Sequence, residues 1–207
     1  QALAALARRR GHRFASALTG FKWIMAERRQ QPERRFIFGY EEALGYCIGE
    51  TVADKDGISA ALAMAHYARE LRAQGSNLRA RLAAIYQEIG AFVSDQWVQR
   101  FAGLDAAAAM QDAVEQARRA APSSLNGLAL ADRHDFREGA PWDVTQRTNL
   151  LALTYGDASE GLRILVRPSG TEPKVKTYFE YHTAAGVKVA RQHLQSAMTT
   201  WREELKA

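Results

Sequence analysis

Residues 167–176 bring together side chains that can bind an anion. They read R-P-S-G-T-E-P-K-V-K. Arg167 offers a planar fork of N–H donors that matches the oxygen atoms of a phosphate, and Ser169 and Thr171 add two hydroxyl groups. Gly170 allows the backbone to curl, so that successive N–H groups can point at one anion as a nest. The segment therefore predicts a phosphate-binding loop.

Two lysines follow this loop on a segment that is typical of a strand. Lys174 and Lys176 are two positions apart, so they face the same side of the strand and one of them can close the anion site. The alternative is a tight polar turn with incidental charge, since Ser-Gly-Thr turns are common. An arginine before the turn and a lysine after it favour anion binding.

This loop closely resembles the phosphate-binding loop of the α-D-phosphohexomutase superfamily, the phosphoglucomutase and phosphomannomutase enzymes. Their C-terminal domain carries R-x-S-G-T-x-P, followed by a basic residue on the next strand. The matching positions here are Arg167, Ser169, Gly170, Thr171 and Pro173, with Lys176 as the best match to the basic residue.

Residues 38–46, F-G-Y-E-E-A-L-G-Y, resemble the sugar-binding loop of the same family, in the version of its phosphomannomutase and phosphopentomutase-like branches. The resemblance implies that Glu41 accepts hydrogen bonds from sugar hydroxyls, a task that suits the several acceptor sites of a carboxylate. Adjacent residues of an extended loop tend to point in opposite directions, so Glu42 is expected to matter less. Ala43 stands where many relatives have serine. An exposed acidic turn is the alternative interpretation of the two glutamates.

A third segment, T-G-F-K-W-I at residues 19–24, resembles another active-site turn of the family. The resemblance places Lys22 near the substrate. A lone lysine is usually solvated, so this assignment depends on the other two motifs. The D-K-D-G of residues 54–57 is also familiar after the sugar loop. We interpret it structurally, with Asp56 as the N-cap of a helix.

The resemblance implies an isomerase that interconverts sugar 1-phosphates with 6-phosphates or 5-phosphates. The family works through a phosphoserine, a sugar bisphosphate and Mg²⁺. Its phosphoserine loop, of the T-A-S-H-N-P type, and its metal loop, of the D-G-D-G-D-R type, are not in this sequence. The chain is therefore expected to be the substrate-binding C-terminal part of such an enzyme, with no catalytic residue or metal ligand of its own. A non-catalytic module that binds phosphorylated metabolites is the alternative.

The patterns predict two parts. Residues 1–90 are expected to be an αβα-layered α/β unit, which resembles the later part of the family's third domain. Residues 91–207 are expected to be an α+β domain with antiparallel strands and two helices, which resembles the fourth domain and its TATA-box-binding-protein-like fold. The predicted helices cover residues 1–10, 21–29, 58–74, 78–89, 105–120 and 184–205. The predicted strands cover residues 12–18, 35–38, 92–101, 149–155, 162–166 and 174–182, with a loop at 39–49.

The composition is that of a globular protein with a buried core, with 47% hydrophobic and 25% charged residues in 207. No apolar run approaches the roughly eighteen residues needed to span a bilayer, and no secretory signal is visible. Cys47 is the only cysteine, which excludes an internal disulfide and a zinc site of several cysteines. These features favour a cytoplasmic protein without a membrane partner.

The net charge of +5 arises in the first part of the chain. Residues 1–90 hold 14 Lys/Arg and 9 Asp/Glu, whereas residues 91–207 hold 14 of each. A basic half could attract nucleic acid or an anionic metabolite. The basic clusters are short, and no helix-turn-helix, RNP or zinc-finger signature accompanies them, so no nucleic-acid partner is predicted.

Overall fold

The computed structural model describes residues 1–41 and 44–205 of the chain. Contacts divide these residues into two compact units. One consists of residues 3–41 and 44–84, and the other of residues 85–205 together with residues 1–2. None of the helices in the described residues is long and apolar enough to cross a membrane.

The first unit is built mainly from helices and one β-hairpin. Its small core holds the buried side chains of Phe21, Met25 and Cys47, with Ile24 and Phe36 packed against them. The predicted strand at residues 12–18 is wrong, because the structure has no regular element there. In chain order the elements up to the end of the helix that crosses the boundary between the units are α1 (Ala2–Arg9), α2 (Phe21–Arg29), β1 (Phe38–Glu41), β2 (Gly45–Ile48), α3 (Gly57–Ala73) and α4 (Leu78–Ile89).

The predicted loop at residues 39–49 is also wrong, since β1 and β2 form an antiparallel pair. The predicted strand at 35–38 begins three residues later, at Phe38. The glycines of this segment suggested a loop, but Gly39 is needed because neighbouring side chains pack closely against its backbone. A Cβ atom at Gly39 would lie 2.8 Å from Cγ2 of Ile24 and 2.8 Å from Cζ of Phe36. A glycine in a strand at such a contact is a packing requirement rather than a turn signal.

The helix cap before α3 is confirmed. Oδ1 of Asp56 accepts hydrogen bonds from the backbone N–H groups of Ile58 (3.0 Å) and Ser59 (3.2 Å), two of the N–H groups that a helix start leaves unpaired. These bonds hold the pKa of the Asp56 carboxyl below its usual value, the side chain and backbone of Ser59 contributing most. The cap fixes where α3 begins and where the residues before it lie.

The second unit is the expected α+β domain. Six strands form one sheet in the order β3-β8-β7-β6-β5-β4, and each neighbouring pair is antiparallel. Two helices pack against one face, where their apolar side chains join the core of the sheet. The elements are β3 (Ala91–Arg100), α5 (Ala106–Arg119), β4 (Ser124–Leu125), β5 (Leu128–Asp135), β6 (Leu151–Gly156), β7 (Glu160–Pro168), β8 (Lys174–Thr183) and α6 (Val187–Glu204).

Strand β8 shows why this sequence forms a half-covered sheet. Its side chains alternate strictly between buried and partly exposed, the period of two that a strand with one buried face requires. Phe179 is buried and packs edge-on against Trp201 of α6, with ring centroids 6.3 Å apart. Lys174 and Lys176 therefore lie on the face that α5 and α6 do not cover.

One charged group is buried between α5 and β5. Arg118, with 3% of its side chain exposed, donates from Nε to Asp135 (3.0 Å), from Nη1 to Glu115 (2.7 Å) and from Nη2 to Asn149 (2.5 Å). Burial alone would raise the pKa of the Asp135 carboxyl. Hydrogen bonds from the side chain and backbone of Arg137, with the charges of both arginines, outweigh burial and lower that pKa.

Replacing Arg118 by methionine is expected to lower the free energy of unfolding by about 1–3 kcal/mol. It leaves the partly buried oxygen of Asn149 without its donor and removes one of the two arginines that pair with Asp135 and Glu115. Arg119 is the matched control, since it is the next residue of α5 and is exposed. Arg119→Met should stay within about 0.5 kcal/mol of the wild type. Urea unfolding followed by circular dichroism measures both changes. Equal losses in the two variants would contradict a structural role for the Arg118 group.

Candidate functional site

The predicted phosphate-binding loop connects two paired strands, β7 and β8. The register places Arg167 directly opposite Lys176, and Pro168 opposite Val175. The backbone N–H of Ser169 donates to the carbonyl of Lys174 (2.8 Å) and closes the turn. Directly opposed residues of antiparallel strands have Cβ atoms about 4.5–5.5 Å apart. The sheet thus holds the two cationic side chains side by side on its uncovered face.

The loop itself is organised by the hydroxyl group of Ser169. Its Oγ lies 3.4 Å from the backbone nitrogen of Thr171 and 3.3 Å from that of Glu172, and it accepts from both N–H groups. It also lies 3.5 Å from the hydroxyl of Thr171. The two hydroxyls that the sequence singled out therefore lie next to each other.

Gly170 does not have a positive φ, so the turn does not use a left-handed glycine. The expectation that successive N–H groups of this turn face one anion stays a prediction. A Cβ atom built at Gly170 would meet no atom of the described chain within 4 Å. What glycine provides here is open space, in which a ligand can approach the backbone closely.

Lys174 and Lys176 differ in their partners. Nζ of Lys174 donates to Glu172 (2.9 Å), whose other oxygen accepts from Arg100 (3.2 Å). The hydrogen bond and charge of Lys174, followed by those of Arg100, hold the pKa of the Glu172 carboxyl below its usual value. The side chain of Lys176 makes neither a hydrogen bond nor an ion pair with any residue in the described part of the chain.

Ion pairs with Glu172 distinguish two groups of basic side chains at this loop. The side chain of Arg167, like that of Lys176, makes no hydrogen bond or ion pair with another described residue, so both cations keep their donors for a ligand. Arg100 and Lys174 both pair with Glu172, so one carboxylate is shared between two cations. Of the two lysines that the sequence left open, the geometry favours Lys176. Arg100 had no signal in the sequence, because it reaches Glu172 only through the pairing of β3 with β8.

Glu41 ends β1 in the first unit, in the segment that predicts sugar binding. Its side chain is 16% exposed, and Oε1 lies 3.6 Å from Nζ of Lys55. The other oxygen, Oε2, is buried and has no hydrogen-bond partner among the described residues. Glu42 and Ala43 lie outside the described residues, so the expectations for them stay predictions.

Lys22 is exposed on the first turn of α2, and its Nζ lies 5.2 Å from the centre of the Trp23 ring. No hydrogen bond or ion pair joins Lys22 to Glu41 in the described ranges. The described residues also contain no group of three His, Cys, Asp or Glu side chains that could hold a metal ion. They do not offer a ligand set for Mg²⁺.

Comparisons with known proteins match both parts of the chain to domains of one family. Residues 1–89 match the family described as phosphoglucomutase/phosphomannomutase, alpha/beta/alpha domain III, and residues 155–193 match its C-terminal domain. A phosphoglucomutase of Staphylococcus epidermidis is 37% identical over 173 residues, which are 80% of this chain and 31% of that protein. A probable phosphomannomutase of Haemophilus influenzae is 33% identical over 180 residues, covering 86% and 34%.

A solved structure shows the same fold. The crystal structure of the exocytosis-sensitive phosphoprotein pp63/parafusin from Paramecium, in its open form, superimposes with a TM-score of 0.65 at 18% identity. The superposition covers 99% of this chain and 35% of that chain. This chain therefore spans about a third of the length of the relatives that it matches.

Arg167→Ala is expected to weaken phosphate binding by about 1.5–3 kcal/mol, the value of a charged hydrogen bond, or about one to two decades in Kd. Lys176→Ala should weaken it less, because an ammonium is a point charge on a flexible stem. Titration calorimetry of glucose 6-phosphate into the 207-residue chain measures both. The controls are Arg191→Ala and Lys188→Ala, which remove exposed cations of α6. Unchanged binding in Arg167→Ala would make the loop structural.

Proposed function

The chain belongs to the phosphoglucomutase/phosphomannomutase family, and from that premise we propose that it is the substrate-binding C-terminal part of a phospho-sugar mutase. Such an enzyme interconverts sugar 1-phosphate with 6-phosphate or 5-phosphate. The observation that carries the proposal is the opposition of Arg167 and Lys176, whose side chains make no hydrogen bond or ion pair with other described residues, within the residues that match the family's C-terminal domain.

The role of the chain in this reaction is positioning. The loop of residues 167–176 holds the phosphate that is not reacting, and Glu41 accepts hydrogen bonds from sugar hydroxyls. Lys22 is assigned a place near the substrate. Binding energy from such remote groups lowers the barrier at the reacting phosphate, since phosphoryl transfer depends mainly on alignment and charge stabilisation.

The chemistry lies in the remaining two thirds of the enzyme. A phosphoserine there transfers its phosphoryl group to a sugar hydroxyl, so one serine O–P bond breaks and one sugar O–P bond forms. The resulting bisphosphate turns over, and its other phosphate returns to the serine. Mg²⁺ would neutralise charge on the phosphoryl group and finds no ligand set in the described residues of this chain.

The turnover explains why the site described here uses few and general contacts. The loop must hold a phosphate on either end of the sugar, so recognition rests on the phosphate itself. A stand-alone module for phosphorylated metabolites is less favoured, because both family matches are to mutase domains. Sugar phosphates are cytoplasmic metabolites, and we place the enzyme in the cytoplasm.

The 207-residue chain alone is expected to show no mutase activity, because the proposal puts the phosphoserine and the metal outside it. The complete enzyme should convert glucose 1-phosphate, mannose 1-phosphate or ribose 1-phosphate when primed with the matching bisphosphate. ³¹P NMR measures the conversion and detects the bisphosphate. Turnover by the purified chain, or none of these conversions by the complete enzyme, would overturn the proposal.

Glu41→Gln is expected to lower kcat/KM of the complete enzyme for every sugar, because the amide replaces one acceptor oxygen with a donor that mispairs with hydroxyls. Glu42→Gln is the adjacent comparison and should lose much less. Ala43→Ser should be tolerated and can shift the preference among sugars by adding a hydroxyl. Steady-state kinetics on the three 1-phosphates measure all three variants. Equal losses for the two glutamates would contradict the one-sided assignment.

A further inference from the structure

A partly exposed tryptophan, Trp142, lies in the connection between β5 and β6. Its ring packs edge-on against the ring of Phe136, the residue that follows β5, with the two centroids 5.8 Å apart. Phe136 is buried, whereas 38% of Trp142 is exposed. The indole of Trp142 is therefore supported by the protein and also open to solvent.

Hydrogen bonds hold the loop around Trp142. The indole N–H donates to Oε1 of Gln146 (3.2 Å), whose backbone carbonyl accepts from the N–H of Ala140 (2.9 Å). The carboxylate of Asp143 accepts from the hydroxyl of Thr145 (2.7 Å) and from the side-chain amide of Gln146 (3.1 Å). The ring is thus oriented before a ligand arrives, which reduces the entropy that binding must remove.

The loop packs on the same face of the sheet as the candidate phosphate site. Asp135, the last residue of β5, accepts a hydrogen bond from Arg118 of α5 (3.0 Å) and so points toward the helices. Successive side chains point to opposite faces of a sheet, so Phe136 points to the uncovered face. His134, two positions before it, contacts Phe136 with ring centroids 4.8 Å apart. Trp142 therefore shares the uncovered face with the two cations of the candidate phosphate site.

The strand register also places the aromatic side chains in line with the candidate phosphate site. Asp135 pairs with Leu151, and Leu151 pairs with Val166. The next row across the sheet therefore runs from Phe136 to Arg167. Two strand spacings of about 4.8 Å, or roughly 10 Å in total, separate the two backbones in this row. A sugar ring attached to a phosphate at Arg167 can therefore reach the exposed indole.

We propose that Trp142 is a further sugar-binding residue, whose indole packs against carbon-bound hydrogens of the sugar ring while Arg167 and Lys176 hold the phosphate. The inference rests on the proposed function and adds a contact to the same site. Apolar contact is non-directional, so it suits a site that must accept the sugar in two orientations. It also favours cyclic sugar phosphates over short acyclic phosphates, which have no ring to cover the indole.

The test measures two quantities on the complete enzyme, kcat/KM for its best sugar 1-phosphate and the inhibition constant of inorganic phosphate. Trp142→Leu keeps an apolar contact with Phe136 but removes the flat ring. It should lower kcat/KM about tenfold, the effect of covering roughly 50 Å² of apolar surface, and leave inhibition by inorganic phosphate unchanged. Trp142→Phe keeps an aromatic ring and should stay within about threefold of the wild type.

Val144→Ser is the matched control, because Val144 lies in the same loop and is 69% exposed. It should equal the wild type in both measurements, since a contact with the sugar ring needs the indole and not the whole loop. An equal loss of kcat/KM in Val144→Ser and Trp142→Leu would mean that the loop docks on another part of the enzyme, and would overturn the inference.

Arg167→Ala separates failure of this inference from failure of the proposed function. If Arg167→Ala lowers kcat/KM and Trp142→Leu does not, the sugar contact is wrong and the proposed function stands. If Trp142→Leu weakens inhibition by inorganic phosphate as much as it lowers kcat/KM, Trp142 supports the phosphate loop structurally, and the inference is again wrong. If Arg167→Ala leaves both quantities unchanged, the proposed function itself fails.

Discussion

The antiparallel register of β7 and β8 is the constraint on which the candidate phosphate site depends. It sets Arg167 opposite Lys176 and puts both on the face of the sheet that the helices leave uncovered. A slip of β8 by one residue would turn Lys176 toward the core, away from Arg167, and would turn buried Val175 outward. The apolar side chains that join the sheet to α5 and α6 therefore fix the register and, with it, the position of the charges.

Much of the second unit could be predicted from the sequence, because its strands have one buried and one open face. The alternation predicts β8 within one residue, at Lys174–Thr183, and α5 and α6 follow from their apolar faces. The hairpin Phe38–Glu41 and Gly45–Ile48 could not be predicted in this way. Its glycines serve a close approach to neighbouring side chains, and sequence composition does not distinguish that use from a turn.

The same distinction applies to the residues of the candidate sites, because some of their contacts are local in the sequence and others depend on the fold. Arg167, Ser169 and Thr171 stand within five positions of one another, so their association is visible in the sequence. The link of Glu172 to Arg100 crosses 72 positions, and Lys55 reaches Glu41 only because β2 and the cap of α3 bring it there. Contacts that depend on strand register or on a helix start leave no local pattern. Sequence reasoning therefore found the motifs and missed their partners.

The positions and partners of individual charged side chains indicate the candidate sites of this chain, whereas its net charge does not. The first 90 residues carry the whole net charge of +5, yet the candidate phosphate loop lies in residues 91–207, whose net charge is zero. Glu172 of this loop pairs with Lys174 and with Arg100, whereas the side chains of Arg167 and Lys176 have no partner among the described residues. In the hairpin, Lys55 faces one oxygen of Glu41, and the other oxygen has no hydrogen-bond partner among the described residues. A ligand competes with internal ion pairs for the paired groups, so the side chains without such partners indicate each candidate site better than the number of basic residues does.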